Sequence, residues 1–227
     1  MQEPEKVRSI FSSIARRYDL ANHLLSGGLD FLWRRRVGKI VRGWNPRLVL
    51  DLATGSGDVA LVLHHYCPGA RIVGADFCHP MLLRARAKGL RTLVVADGMR
   101  LPFADGTFDV LTIAFGLRNM ASYPGALKEM ARVLRPGGHL LVLDFSLPGP
   151  PLRGIYRFYL HRVLPSLAGA VTGDRAAYEY LGGSIETFPA GSEMNRLIES
   201  SGLLNARHEP LTGGIVSIYT AERGANH

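Results

Sequence analysis

The chain is poor in cysteine: Cys67 and Cys78 are the only two among 227 residues. They stand apart, without the spacing of a metal site or a disulfide framework. Both read as packing residues of a protein kept in a reducing cytoplasm, and no metal site is expected. No apolar run reaches the ~18 residues of a membrane span, and the N-terminus lacks the apolar core of a signal peptide. The expectation is a soluble, cytoplasmic chain. Internal repeats and low-complexity tracts are missing as well. Acidic residues are in deficit, 19 against 27 basic, for a net charge of +8. Such a surplus suits attraction to anionic lipid or nucleic acid, or solubility alone. No RNA- or DNA-binding signature accompanies it, so a nucleic-acid partner is not expected.

What the sequence does contain is one organising stretch, Val49-Leu50-Asp51-Leu52-Ala53-Thr54-Gly55-Ser56-Gly57-Asp58. It reads as a buried parallel strand, a loop with two glycines, and a helix start capped by Asp58. Gly55 and Gly57 let a ligand approach bare backbone at the carboxyl end of the strand. The spacing Gly55-x-Gly57-x-x-Ala60, with Asp76 about 20 residues on, fits the dinucleotide fingerprint. Asp51 argues against a pyrophosphate, because it sets a negative charge at the mouth of the loop. S-adenosylmethionine has no phosphate and carries a sulfonium and an ammonium, which an acid attracts.

The chain downstream alternates strands and helices. Ala70–Asp76, Thr92–Asp97 and Phe108–Phe115 are predicted strands, and Leu140–Phe145 is a fifth. Asp51, Asp76 and Asp97 thus end three strands. Asp76 is placed to accept both ribose hydroxyls and Asp97 the adenine amino group. Phe103 is either a stacking ring or core. Gly116-Leu117-Arg118-Asn119 forms a polar tip after strand four. Arg135-Pro136-Gly137-Gly138 reads as a turn, and Arg207–Leu211 with Val216–Thr220 as a closing hairpin across Thr212-Gly213-Gly214.

Two segments fall outside this alternation. Residues 4–42 read as helical, broken at Gly27-Gly28, with Arg34, Arg35 and Arg36 outward. They either cover the sheet or form a lid whose Tyr18, Asn22 and His23 reach the active site. Residues 147–190 carry a helix with Ile155, Tyr159, Val163 and Leu167 in one row, Tyr156, Leu160 and Leu164 beside it, and Arg153, Arg157 and His161 opposite. Pro165 ends or kinks it. Such a helix either packs on the domain or lies on a membrane or greasy pocket.

With these residues in view, the chain resembles the seven-stranded S-adenosylmethionine-dependent methyltransferases. More narrowly, it resembles the C-methyltransferases of menaquinone and ubiquinone synthesis. The narrower motifs are Tyr18-Asp19-x-x-Asn22 with Ser26 and Trp33, Phe115-Gly116-Leu117-Arg118-Asn119, Arg132-Val133-Leu134-Arg135-Pro136-Gly137-Gly138, and Tyr180-Leu181-x-x-Ser184-Ile185. Asp30 stands where the family often has His, and Asp144 where a Glu usually precedes the Phe-Ser of strand five.

The resemblance implies a class I, Rossmann-like α/β fold: a mostly parallel seven-stranded sheet, an antiparallel final strand and helices on both faces. Residues 1–227 would form one methyltransferase domain, with 1–44 a helical arm and 147–190 a helical cover over the substrate. The implied cofactor is S-adenosylmethionine, held by Asp51, Gly55, Ser56, Gly57, Asp76, Asp97, Gly98 and Ala114. The implied reaction methylates a ring carbon of a polyprenylated quinol, demethylmenaquinol first and the ubiquinone-pathway benzoquinol second. Arg118 would stabilise the developing phenolate, Asn119 orient the hydroxyl and Tyr18 close over the ring. Asn22, His23, Tyr178 and Tyr180 would contact the substrate, with His23, His161 and Tyr178 as candidate bases. The expected partners are the quinol, a membrane or lipid-bound complex touched peripherally, and possible second copies of the chain. Three rivals stay open: methylation of another phenol, an NAD-dependent oxidoreductase, and a non-catalytic assembly subunit.

Overall fold

The computed structural model describes residues 26–166 and 175–225, with side chains described for 26–166 and 181–225. Its centre is a seven-stranded sheet. The strands are β1 (Leu48–Leu52), β2 (Arg71–Asp76), β3 (Leu93–Val95), β4 (Phe108–Ala114), β5 (Leu134–Phe145), β6 (Leu203–Leu211) and β7 (Val216–Arg223). Their order is β3-β2-β1-β4-β5-β7-β6. The first five run parallel, whereas β7 is antiparallel to both β5 and β6. Strand order reverses between β1 and β4, which opens a crevice at the carboxyl ends of those strands.

Alternation along the strands decides which residue faces which layer. Leu50, Leu52, Leu111, Ile113, Leu140 and Val142 face one side, and Val49, Val110, Leu141 and Leu143 the other. The first side is covered by α4 (Tyr123–Val133) through Leu127 and Met130, and by α7 (Ser192–Ser200) through Met194 and Ile198. The second is covered by α1 (Leu29–Gly43) through Trp33, Val37 and Val41, and by α2 (Asp58–Tyr66) through Val59 and Leu63. Helix α3 (His79–Ala87) adds Ala85 to the second side. Both free cysteines are buried.

Several local expectations are corrected. Helix α2 begins after Gly57, whose φ of 88° makes it the N-cap, so Asp58 is the first helical residue and not the cap. A β-carbon on Gly57 would fall 2.3 Å from Leu90 Cδ1, so that position is fixed by packing as well as by backbone conformation. Arg34 does not point outward: it is buried, pairing with Asp30 at 2.8 Å and Asp58 at 3.1 Å. Two nearby carboxylates outweigh the helical position in setting its direction. Strand β5 starts six residues earlier than Leu140, because Phe108 pairs with Leu134 and Val110 with His139, so Arg135–Gly138 bulges out within the strand. Strand β3 is shorter at both ends than 92–97. Both closing strands run longer than expected, across the Thr212–Gly214 turn.

Helix α5 (Leu152–Phe158) runs into a π-helical turn over Tyr159–Val163. Pro165 has no N–H to offer the His161 carbonyl, and the wider turn takes up the mismatch. The inward row is Tyr156, Leu160 and Leu164, packed with Ile185 of α6 (Arg175–Thr187). Beside that row Tyr159 and Val163 are half-buried, whereas Ile155, 71% exposed, faces outward together with Phe158, 64% exposed.

Candidate active site

A cavity of about 380 Å³ opens at the carboxyl ends of the parallel strands. Four strand ends and the loops after them build it. The first follows β1 and brings Leu52, Ala53 and Gly55; the second follows β2 and brings Asp76, Phe77 and Met81. From β3 onward come Val95, Ala96, Asp97, Gly98 and Met99, and from β4 onward Ala114, Phe115, Gly116, Asn119, Met120 and Ala121. No lysine or arginine is among the described residues of this wall. Two non-glycine residues on it hold a positive φ, Ala53 at 51° and Phe115 at 57°. Such backbone costs energy and is held there by its surroundings.

Asp76 has two tasks. Its carboxylate lines the cavity, and it also accepts from the Gly55 amide and the Cys78 amide, each at 2.8 Å. Burial pushes its carboxyl upward, and these backbone donors, with that of Phe77, pull it back. Asp97 Oδ1 accepts from the Met99 amide at 2.9 Å, which tightens the turn after β3.

Asp51 is a correction. It is 1% exposed and is not on the cavity wall. Thr54 Oγ1 donates to it at 2.6 Å and Thr112 Oγ1 at 2.7 Å, so it lies beneath the glycine loop and not at its mouth. Burial raises its carboxyl to about 6, against the pull of the two hydroxyls. Ser56 and Gly57 are off the wall too. Ser56 Oγ accepts from Lys88 Nζ at 3.1 Å on the far side of the loop.

Arg118 is a second correction. Its guanidinium is 5% exposed and lies behind the wall, where Nη1 donates to Asp144 Oδ1 at 2.6 Å and to the Phe115 carbonyl at 2.7 Å. It also sits 5.2 Å over the Phe145 ring. A cation so paired is not presented to the cavity as an open charge. Asn119, its neighbour in the Leu117–Asn119 turn, does line the cavity, with Nδ2 donating to the Phe115 carbonyl at 3.3 Å.

Other expected positions separate by place. Tyr18, Asn22 and His23 lie outside the described residues, and the side chains of Tyr178 and Tyr180 are likewise not described. His161 pairs with Glu186 at 3.1 Å on an exposed face. Phe103 packs edge-on against Phe108 with ring centroids 4.9 Å apart, which settles it as core. Arg132 bonds the Leu101 and Phe103 carbonyls and pairs with Glu129 and Asp105, so its motif holds a loop beside β4. Sequence reasoning missed Phe77, Met81, Val95, Met99 and Met120. The available signal was position: apolar residues beside each strand end, where the chain leaves the sheet.

The profile of the ubiE/COQ5 methyltransferase family matches residues 1–223. The chain belongs to this family. Among curated relatives, demethylmenaquinone methyltransferase of Thermus thermophilus is 48% identical over 94% of this chain and 100% of its own length. The ubiquinone/menaquinone biosynthesis C-methyltransferase UbiE of Geobacter sulfurreducens is 43% identical over 98% and 90%. Among solved structures, an S-adenosylmethionine-dependent methyltransferase from Thermotoga maritima superposes with a TM-score of 0.68 at 18% identity, covering 95% of this chain and 98% of that one. Human N-acetylserotonin methyltransferase gives 0.67 at 19% identity over 95% of this chain and 58% of that one. These two likenesses concern the fold.

This ubiE/COQ5-family chain is therefore a methyltransferase, and its methyl donor is S-adenosylmethionine. The wall offers that donor two carboxylates, apolar Leu52, Met81 and Val95, and, among the described residues, no cation to repel a sulfonium.

Proposed function

We propose that the enzyme methylates a ring carbon of a polyprenylated quinol, with demethylmenaquinol as principal substrate and the ubiquinone-pathway benzoquinol as a second. The relatives named demethylmenaquinone methyltransferase and UbiE support the quinol, and the cavity wall, which carries Asp76 and Asp97 but no basic residue among those described, supports the donor. In this reading Asp76 receives the ribose hydroxyls and Asp97 the adenine amino group. Gly55, Gly98 and Ala114 give close backbone approach. When bound, S-adenosylmethionine supplies an electrophilic methyl group.

The chain's own task is to hold the quinol carbon about 3 Å from that methyl and to ease loss of the adjacent phenolic proton, whose pKa lies near 10. Asn119 is on the wall and orients the ring hydroxyl. Tyr18, Asn22, His23, Tyr178 and Tyr180 are assigned to the substrate side, with Tyr18 over the ring. Isothermal titration with S-adenosylmethionine against NADH tests the donor site, and NADH binding alone would overturn it. Mass and NMR of the product decide carbon against oxygen methylation. Rescue of menaquinone- and ubiquinone-deficient cells decides the ring.

The membrane-soluble tail requires the enzyme to meet a lipid surface. Exposed Leu152, Ile155 and Phe158 supply an apolar stripe, and Arg153, Arg157 and Arg162 lie beside it. No helix among the described residues is long and apolar enough to cross a membrane. Peripheral, salt-sensitive attachment follows from that combination.

A further inference from the structure

Asp144 ends β5 in the same tier as the strand-end acids, yet it serves another purpose. It is fully buried and accepts from Arg118 Nη1 at 2.6 Å, from the Phe145 amide at 2.9 Å and from the Arg118 amide at 3.4 Å. The same Nη1 donates to the Phe115 carbonyl at 2.7 Å, the carbonyl that also receives Asn119 Nδ2. Phe115 holds φ at 57°, and its amide donates to the Leu143 carbonyl at 2.7 Å. Its ring is braced by Trp33, with centroids 6.1 Å apart, and by Phe145, at 4.7 Å. A strained residue on a cavity wall is thus tied down at its amide, its carbonyl and its ring, and one cation with its counter-ion secures the carbonyl.

We infer that Asp144 and Arg118 act as a positioning pair for methyl transfer. Asp144 fixes the guanidinium and the guanidinium fixes the Phe115 carbonyl. That in turn sets Phe115, Gly116 and Asn119 as the wall beyond β4, across β1 from Asp76 and Asp97. The pair governs where the reacting ring and methyl meet, and it leaves the adenosine end alone. The inference rests on the proposed placement of the donor in this cavity.

The test measures kcat and the affinity for S-adenosylhomocysteine in Asp144→Asn, Arg118→Met and the double variant. A misplacement near 1 Å costs about 100-fold in rate, so each single variant is expected to lose roughly 10- to 100-fold in kcat. Affinity for S-adenosylhomocysteine is expected to stay within about threefold, because Asp76, which takes the ribose in this reading, ends β2 and Asp97, which takes the adenine, follows β3. The double variant is expected to be no worse than the weaker single, since the two residues act as one unit. Full kcat in Asp144→Asn, or losses that multiply in the double variant, overturns the pair. Should Asp144→Asn fail to fold, Arg118→Lys takes its place: it keeps the cation but loses the planar two-sided hold. Lost kcat with intact S-adenosylhomocysteine binding supports positioning, and full kcat refutes it. Placement of the donor is read separately, from S-adenosylhomocysteine binding by Asp76→Ala, so the two failures are distinguishable.

Discussion

Asp76 Oδ2 accepts the Gly55 amide hydrogen at 2.8 Å, so the acid that ends β2 holds the glycine loop that follows β1. One carboxylate both shapes the loop and faces the cavity. Asp76→Ala is expected to weaken S-adenosylmethionine binding about 10- to 100-fold, the scale of one lost charge-assisted hydrogen bond at ~1.5–3 kcal/mol. Calorimetry checks it, and unchanged affinity would refute the ribose assignment. Asp76→Asn keeps an acceptor oxygen for one of the two amides, so it is expected to lose less.

Asp51 predicts a pH effect of opposite sign to most carboxylates. Folded, it holds its proton up to about 6, whereas its ordinary value is 3.8. Between those values the folded state binds more protons, so this contribution to stability falls as pH rises through the window. Above it the cost is about 3 kcal/mol, at ~1.36 kcal/mol per pH unit. Asp51→Asn removes the charge and keeps partners for both threonine hydroxyls, which can turn to accept or donate. The variant is expected to melt higher than the parent at pH 7–8, by an excess that disappears near pH 4. A melting difference that is flat across that range would show that Asp51 titrates normally.

Gly116 and Gly98 separate rigid from yielding neighbours. A β-carbon on Gly116 would fall 2.5 Å from the Ala53 β-carbon, which cannot move without its strained backbone. On Gly98 it would meet the tip of Met120 at 2.7 Å, and a methionine end can swing away. Gly116→Ala is expected to lose most donor binding and several degrees of melting temperature, and Gly98→Ala to keep its fold with a smaller loss of affinity. Equal behaviour of the two in a thermal-shift titration with S-adenosylhomocysteine would contradict this account.

The outward stripe on α5 predicts a surface effect without a core effect. Ile155→Asp with Phe158→Asp leaves the inward Tyr156, Leu160 and Leu164 untouched. The double variant is expected to lose flotation with anionic vesicles at low salt while S-adenosylhomocysteine affinity stays at the parent value. Parent-level flotation would remove this stripe from any lipid contact.

The sheet was legible in the sequence because its strands are short apolar runs that end in polar residues. Leu48–Leu52 and Arg71–Asp76 differ from expectation by a residue or none. Where burial and pairing had to be guessed, the sequence misled. Asp51 and Asp76 look alike as strand-end acids, yet two threonine hydroxyls draw one under the loop while two amides hold the other at the cavity. Arg118 reads as a free cation at a polar tip until Asp144, 26 residues on, is brought against it. Arg34 hides for the same reason, because Asp58 comes from another helix. Each miss depends on a contact across the fold, which periodicity does not carry.

Strand β7 lies between β5 and β6 and binds both. The order of synthesis is therefore not the order of assembly: β6 leaves the ribosome first and has no seat until β7 arrives beside β5. Until then the flank of β5 is an open hydrogen-bonding template next to a growing, largely apolar sheet. A nascent chain stalled before residue 216 would carry the whole donor cavity and an uncovered edge together, so a chaperone that shields strand edges has most to protect in that interval.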